Sequence, residues 1–160
     1  VGLLMAKILK VKDKQSLKYA IDLGVAMQLT NIARDVIEDK KRNRAYINDD
    51  FNSISETLVL ADIFYQSSFP AIKNIPIFSR FAILVARRIY KKIGNEILSQ
   101  KNIETYSSAG KIHVSALSKI IETFLSFFDF LRLFFTNSKD REEQKEHIIL
   151  HKEINLDERI

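Results

Sequence analysis

Between Leu23 and Tyr46 the chain reads LGVAMQLTNIARDVIEDKKRNRAY, and three oxygen-bearing side chains in it, Asn31, Asp35 and Asp39, recur at every fourth residue. From Ser16 to Glu38 there is no proline and a single glycine, Gly24, while Leu17, Ile21, Met27, Ile32 and Val36 supply apolar positions at helical intervals. That pattern predicts a helix. On a helix the three side chains share one stripe, about 6 Å apart at each step. An amide oxygen and two carboxylates so spaced form a ladder of hard oxygens, which suits Mg²⁺, a cation that takes a few carboxylates and completes its sphere with water and substrate phosphates. Gln28 lies one turn earlier beside the stripe. Arg34, Lys40, Lys41, Arg42 and Arg44 stand close by. Acid beside base fits a metal-bound diphosphate that must be held on its metal and on its free oxygens.

A plainer reading competes. Asp-x-x-x-Asp is common on solvated helix faces, where alternating charge means i,i+4 pairing and no chemistry. Against it, Gln28, Asn31 and Arg34 are interleaved with Ala26, Leu29, Ile32 and Ala33. A polar stripe along an otherwise apolar helix costs desolvation unless a ligand or partner satisfies it.

The same string resembles the second aspartate-rich motif of the squalene and phytoene synthase family, approximately LG-x-A-x-Q-L-x-N-I-x-R-D-V-x-x-D followed by R-x-Y. Gln28, Asn31, Arg34, Asp35 and Asp39 fill that pattern, and Arg44 with Tyr46 supply its tail. A match of this length is far more specific than two carboxylates alone, and its wording is nearest to phytoene synthases. The resemblance implies an all-α fold, a helical bundle of the isoprenoid synthase type, of which this chain would be the C-terminal half. It implies Mg²⁺, or Mn²⁺ in its place, bound by Asn31, Asp35 and Asp39. Gln28, Asn31, Arg34, Arg44 and Tyr46 would contact prenyl diphosphate, with Arg34, Asp35 and Asp39 carrying the chemistry.

Composition sets the outer bounds. The 160 residues fit one domain with a sizeable core, and four glycines with two prolines leave few breaks in helices. The absence of cysteine excludes disulfides and thiolate metal sites. No run approaches the ~20 apolar residues of a membrane span. The N-terminal VGLLM lacks the layout of a signal peptide. A cytoplasmic protein, with peripheral contact at a membrane, is expected. A net charge of +5 favours anionic partners. Nucleic acid is the weakest of these, since no binding motif accompanies the basic residues and acids alternate with them.

Taken in order, VGLLMAKIL reads as the inside of a helix, and KVKDKQS as a polar connection in which Asp13 or Ser16 caps the motif helix. Asn43 and Asn48-Asp49-Asp50 mark a loop. Ser53-x-x-Glu56 has the capping-box form and predicts the next helix, with Leu58, Ala61, Phe64 and Tyr65 facing inward. The family usually has a longer stretch between R-x-Y and this helix. The chain turns around Pro70 and Pro76, and SRFAILVARRIYKKIGNEI is a further helix with Ser79 as its expected cap. Tyr90 on it has two readings, a cavity residue as in the family's R-x-A-I helix or an amphipathic core residue with its hydroxyl at the rim.

Lys111, which the resemblance implies as a further substrate contact, stands where the family's R-x-x-V-S segment has arginine, so charge is kept and the bidentate fork is lost. His113 is expected to be a packed or rim residue. The last helix, about Val114 to Phe135, carries Phe124, Phe127, Phe128, Phe130, Phe134 and Phe135 around Asp129 and Arg132. It is read as the closing helix of the core in preference to an interfacial anchor. The domain thus spans residues 1–136, and 137–160 form a charged tail in which His147 and His151 have zinc-pair spacing but no third ligand.

The activity the resemblance implies is head-to-head condensation of two prenyl diphosphates, geranylgeranyl diphosphate giving phytoene in carotenoid biosynthesis. A cyclopropyl intermediate forms after the first diphosphate ionises, and no general base is identifiable here. Squalene or dehydrosqualene synthesis from farnesyl diphosphate is the alternative, with NADPH required only for a squalene-type product. A first Asp-x-x-x-Asp motif is expected in a missing N-terminal half of the same domain, so this chain alone is expected to be inactive and to expose apolar surface. A family member without catalysis, acting in assembly or membrane binding, and a basic membrane-surface module with a coincidental motif remain as other classes.

Overall fold

The computed structural model describes residues 2–136, and every regular element among them is helical. In order these are α1 (Gly2–Ile8), α2 (Lys14–Lys41), α3 (Phe51–Ser68), a 3-10 helix (Phe69–Asn74), α4 (Ile77–Leu98), α5 (Ile103–Ser108) and α6 (Ala116–Phe135). The expected all-α architecture is what the chain adopts. The tail and its His147 and His151 lie outside the described residues.

Helix α2 is the axis. Asp13 caps it by accepting the Ser16 N–H at 2.8 Å, and its end is marked by Asn43 in the left-handed region at φ 56°, a conformation that asparagine tolerates better than most residues. Helices α1, α3, α4 and the 3-10 segment all pack on it. At the α1 crossing Gly2 meets Gly24. A Cβ on Gly2 would stand 2.0 Å from the Ala20 carbonyl oxygen, so only glycine lets the two backbones approach.

Three apolar clusters fill the interior. Ala33 and Val36 of α2 meet Ile54, Leu58, Ile93, Ile97 and Tyr106. Ala26 meets Ala61, Phe64 and Tyr65, with Tyr90 packed alongside. Phe69, Ile72, Leu84 and Leu133 form the third. Each fully buried large side chain contributes roughly 1.5–3 kcal/mol. The four residues expected to face inward from α3 are all buried. Thr30 is satisfied inside the helix layer: its Oγ1 donates to the Ala26 carbonyl at 2.9 Å and pairs with the Tyr65 hydroxyl at 3.0 Å.

Helix starts differ from expectation at two places. α3 is capped by Asp50, whose carboxylate takes the Ser53 N–H at 2.8 Å and the Ser53 hydroxyl at 2.7 Å, so Ser53 is a first-turn residue and no capping box forms. A carboxylate is the stronger acceptor and also favours the positive end of the helix dipole. α4 begins at Ile77 behind Pro76, with Ser79 inside its first turn donating its N–H to the Pro76 carbonyl at 2.8 Å. Proline fixes φ and cannot donate, which makes the start abrupt.

The larger correction concerns α6. Its phenylalanine-rich face does not close the core: only Ser126 and Leu133 of the helix are buried, whereas Phe124, Phe128 and Phe135 are 64%, 54% and 91% exposed. The face turned toward α4 carries Glu122 and Asp129, both bonded to Arg88 at 2.8 Å. Two carboxylates and a guanidinium need one another more than the phenyl rings need that interface, because unpaired charge at a packed surface costs more than exposed apolar area gains.

Candidate functional site

The motif side chains project from α2 around one patch. Arg34 grips Asp35 with two bonds, Nε to Oδ1 at 2.9 Å and Nη2 to Oδ2 at 2.7 Å. Lys111 reaches Asp35 at 3.2 Å and Glu38 at 3.1 Å from the segment that precedes α6. The Arg34 guanidinium holds the Asp35 carboxyl below its usual value of 3.8, with Lys111 adding to the effect. Arg34 is raised in turn, first by its bond to Asp35. Asp35 is therefore an anion at neutral pH, with cations on two sides. Lys111, expected to contact substrate, has the carboxylates of Asp35 and Glu38 as its partners here.

Asn31, one turn before Asp35, has its Oδ1 buried and without a hydrogen-bond partner. A buried amide oxygen left unpaired costs about 1–3 kcal/mol. Such an atom is explained when something binds it, and a hard cation is the chemistry that an amide oxygen beside a carboxylate takes. Among the described residues no three His, Cys, Asp or Glu side chains converge to hold a metal by themselves. The donor set therefore fits a Mg²⁺ that draws its remaining ligands from water and substrate oxygens. It does not fit a closed protein cage.

Asp39, Arg44 and Tyr46 line a second part of the patch, a cleft of about 130 Å³ shared with Ile32, Val36 and Lys40. The loop turns back there because the Arg44 N–H donates to the Asp39 carbonyl at 2.8 Å. Among the described residues Arg44 has no carboxylate within ion-pair distance, unlike Arg42, paired with Glu38 at 2.6 Å, and Lys40, paired with Asp49. Ordinary surface pairing thus accounts for Lys40 and Arg42 and leaves Arg44 free for a ligand. Gln28 is exposed on the same helix, and Tyr46 is 61% exposed at the rim. Tyr90 is half-buried beside Ala26 and Tyr65, close enough for its hydroxyl to act on the Arg34 charge. His113 is exposed, a rim residue.

Sequence reasoning missed two residues here. Glu38 completes the Lys111 contact, and its position three residues after Asp35 was the available signal. Tyr106 is buried on α5 with its hydroxyl 2.9 Å from the Ala33 carbonyl and 2.7 Å from that of Arg34, so it fixes the α2 backbone at the motif. Burial pushes the Tyr106 hydroxyl up to about 12, which keeps it a donor at any physiological pH. Nothing in the local sequence marks it.

Residues 1–53 match the squalene/phytoene synthase family. It is 34% identical over 119 residues to the 15-cis-phytoene synthase of Enterobacter agglomerans, a match that covers 61% of this chain and 40% of that protein. The 15-cis-phytoene synthase of Pantoea ananas is 34% identical over 118 residues, covering 61% and 38%. That of Paracoccus sp. is 35% identical over 115 residues, covering the same shares. The chain spans about two fifths of the length of these relatives. No solved structure matches it at a significant level.

Proposed function

We propose that this chain is the part of a phytoene synthase that carries the second aspartate-rich helix, and that the protein condenses two molecules of geranylgeranyl diphosphate head to head, releasing diphosphate. The observation that carries this reading is the buried, unpartnered Asn31 Oδ1 one turn from the ionised Asp35, on a helix whose sequence matches the family. The relatives' names supply the product, and the donor set supplies the handling of diphosphate.

Asn31, Asp35 and Asp39 would hold Mg²⁺. When bound, the ion stabilises negative charge on a departing diphosphate. The chain's own residues do the rest. Arg44 and Gln28 orient phosphate oxygens, and Arg34 keeps Asp35 ionised and aimed. Lys111 lies within reach to shift from Asp35 to a phosphate oxygen once a ligand arrives, a change it makes as a point charge with no fork geometry to satisfy. Tyr90 and the apolar side chains near it, Met27 and Leu29, border the space for the prenyl chain and exclude water from an allylic cation. A second aspartate-rich wall belongs to this proposal, since the described residues supply too few ligands to gather two diphosphates.

Peripheral membrane contact belongs to the same reading. No described helix is long and apolar enough to cross a membrane, and the outward phenyl face of α6 suits the interfacial layer in which prenyl chains and their hydrocarbon product partition.

Calorimetric titration of the chain with inorganic diphosphate tests the core of the proposal. Binding at the motif should require Mg²⁺ and weaken at least tenfold in Asp35→Asn, in line with the loss of one ligand carboxylate. Binding at the motif that ignores both Mg²⁺ and Asp35 would sink it. Product analysis on the full gene product, supplied with geranylgeranyl or farnesyl diphosphate, separates phytoene from squalene-type synthesis.

A further inference from the structure

Helix α4 turns a second, strongly basic side to the molecule. Arg87, Arg88, Lys91 and Lys92 occupy two adjacent pairs one turn apart, and Arg132 approaches from α6. Together they border a cleft of about 520 Å³ that is also lined by Gln66, Phe69, Asn95, Glu122 and Asp129 and includes no residue of α2. Four cations within two helical turns repel unless each finds an anion. Three of them do: Lys91 pairs with Asp62, Lys92 with Glu96 at 3.0 Å, and Arg88 with Glu122 and Asp129.

Two guanidiniums are left over. Arg87 is only 8% exposed, and its Nε and Nη2 both donate to one neutral acceptor, the Tyr65 carbonyl, at 3.1 and 2.9 Å. That bond satisfies donors without cancelling charge, and burial holds the group below its ordinary pKa. Arg132 is exposed at the mouth of the cleft. Among the described residues neither has a carboxylate within ion-pair distance. Both stand over the Phe69 ring, 5.1 and 5.4 Å from its centroid. The ring offers each a weak attraction and also holds them in place, so two planar forks from different helices converge on one cleft, where the carboxylates of Glu122 and Asp129 are bonded to Arg88 and none bonds to these two.

A buried cation bonded only to a neutral carbonyl, with Asp129 and Asp62 acting on it from beyond ion-pair distance, is costly and gains from a further counter-charge. Guanidinium forks match phosphate oxygens in shape and charge. We infer that this cleft is a metal-independent site for a phosphate-bearing anion, a diphosphate or a phospholipid headgroup, held by Arg87 and Arg132 with Lys92 at its edge. It goes beyond the proposed function, whose site lies on α2 and works through a divalent cation.

The experiment is titration of the purified chain with inorganic diphosphate in the presence of a chelator, alongside sedimentation with vesicles of phosphatidylcholine containing or lacking phosphatidylglycerol. The variants are Arg132→Gln, whose exposure leaves folding undisturbed, and Lys92→Gln, with circular dichroism to confirm the helices. Binding to inorganic diphosphate without metal, weakened tenfold or more in Arg132→Gln, less in Lys92→Gln and unchanged in Asp35→Asn, establishes the site with a free phosphate as its ligand. Binding only to the phosphatidylglycerol vesicles, lost in Arg132→Gln, establishes it with a lipid headgroup. Absence of both, or equal binding by Arg132→Gln, overturns it. Since the α2 site is read in Mg²⁺ through Asp35 and this one in chelator through Arg132, either can fail without the other.

Discussion

Helices α2 and α6 invert one another. α2 has polar side chains distributed around it, yet it is packed on by α1, α3, α4 and the 3-10 segment, with Leu17, Ala26, Ala33 and Thr30 each no more than 1% exposed. α6 is strongly two-sided, yet it turns its phenyl rings outward and packs through Glu122, Ser126 and Asp129. Amphipathicity reports that a helix has an apolar side. Which side meets the rest of the chain is decided by the strongest interaction available at the contact, and on α4 that is a guanidinium.

The comparison can be broken by removing that guanidinium. Arg88→Ala leaves Glu122 and Asp129 facing each other at an interface where both are about 15% exposed. A loss of about 2–4 kcal/mol is expected, discounted from fully buried pairs for the remaining solvent. Urea unfolding should show it, and hydrogen exchange should place the loosening in α6 while α2 stays protected. Protection of α6 equal to the parent chain would mean that apolar contacts through Leu133 and Phe130 hold it.

On the α2 side the matching change is Tyr106→Phe. It removes the donor shared by the Ala33 and Arg34 carbonyls and keeps the ring in place, so about 1–2 kcal/mol should be lost, together with weaker Mg²⁺-dependent diphosphate binding. Unaltered binding would show that Tyr106 supports stability alone.

The charge at Asp35 sharpens the contrast through pH. Its pKa is lowered in the folded chain, chiefly by Arg34, so its stabilising contribution is complete above the unfolded value of 3.8 and is lost as pH falls through the lower folded value. Unfolding followed from pH 5 downward should show a gentler decline in Asp35→Asn than in the parent chain. Parallel curves would deny the Arg34 pairing any net effect in solution.

The smallest expected effect lies on the outward face of α6. Phe128→Ser, at a ring 54% exposed, should change stability by about 0.5 kcal/mol or less and should reduce association with vesicles or self-association. A large loss of stability would mean that the ring is buried in solution.

Where the candidate site's side chains lie was largely legible in the residues. A four-residue period of Asn31, Asp35 and Asp39 on a proline-free helix is local information, and helix geometry alone puts them on one stripe. Arg44 and Tyr46 followed because they lie a few residues further along the chain. The caps of α3 and α4 misled because a competing acceptor, Asp50, and a proline, Pro76, each stood three residues upstream of the serine.

The sequence by itself determined the all-helical architecture, the motif helix and the polarity of its face, since these depend on spacing and on propensities that act within a turn or two. Only the tertiary structure decided that Tyr106 pins the motif backbone, that Lys111 reaches Asp35, that Arg87 is buried against a backbone carbonyl, and that the phenyl face of α6 points away from the core. Each of these depends on contacts between residues tens of positions apart, where burial, ion pairing and backbone approach compete in space and the outcome is set by which neighbour arrives.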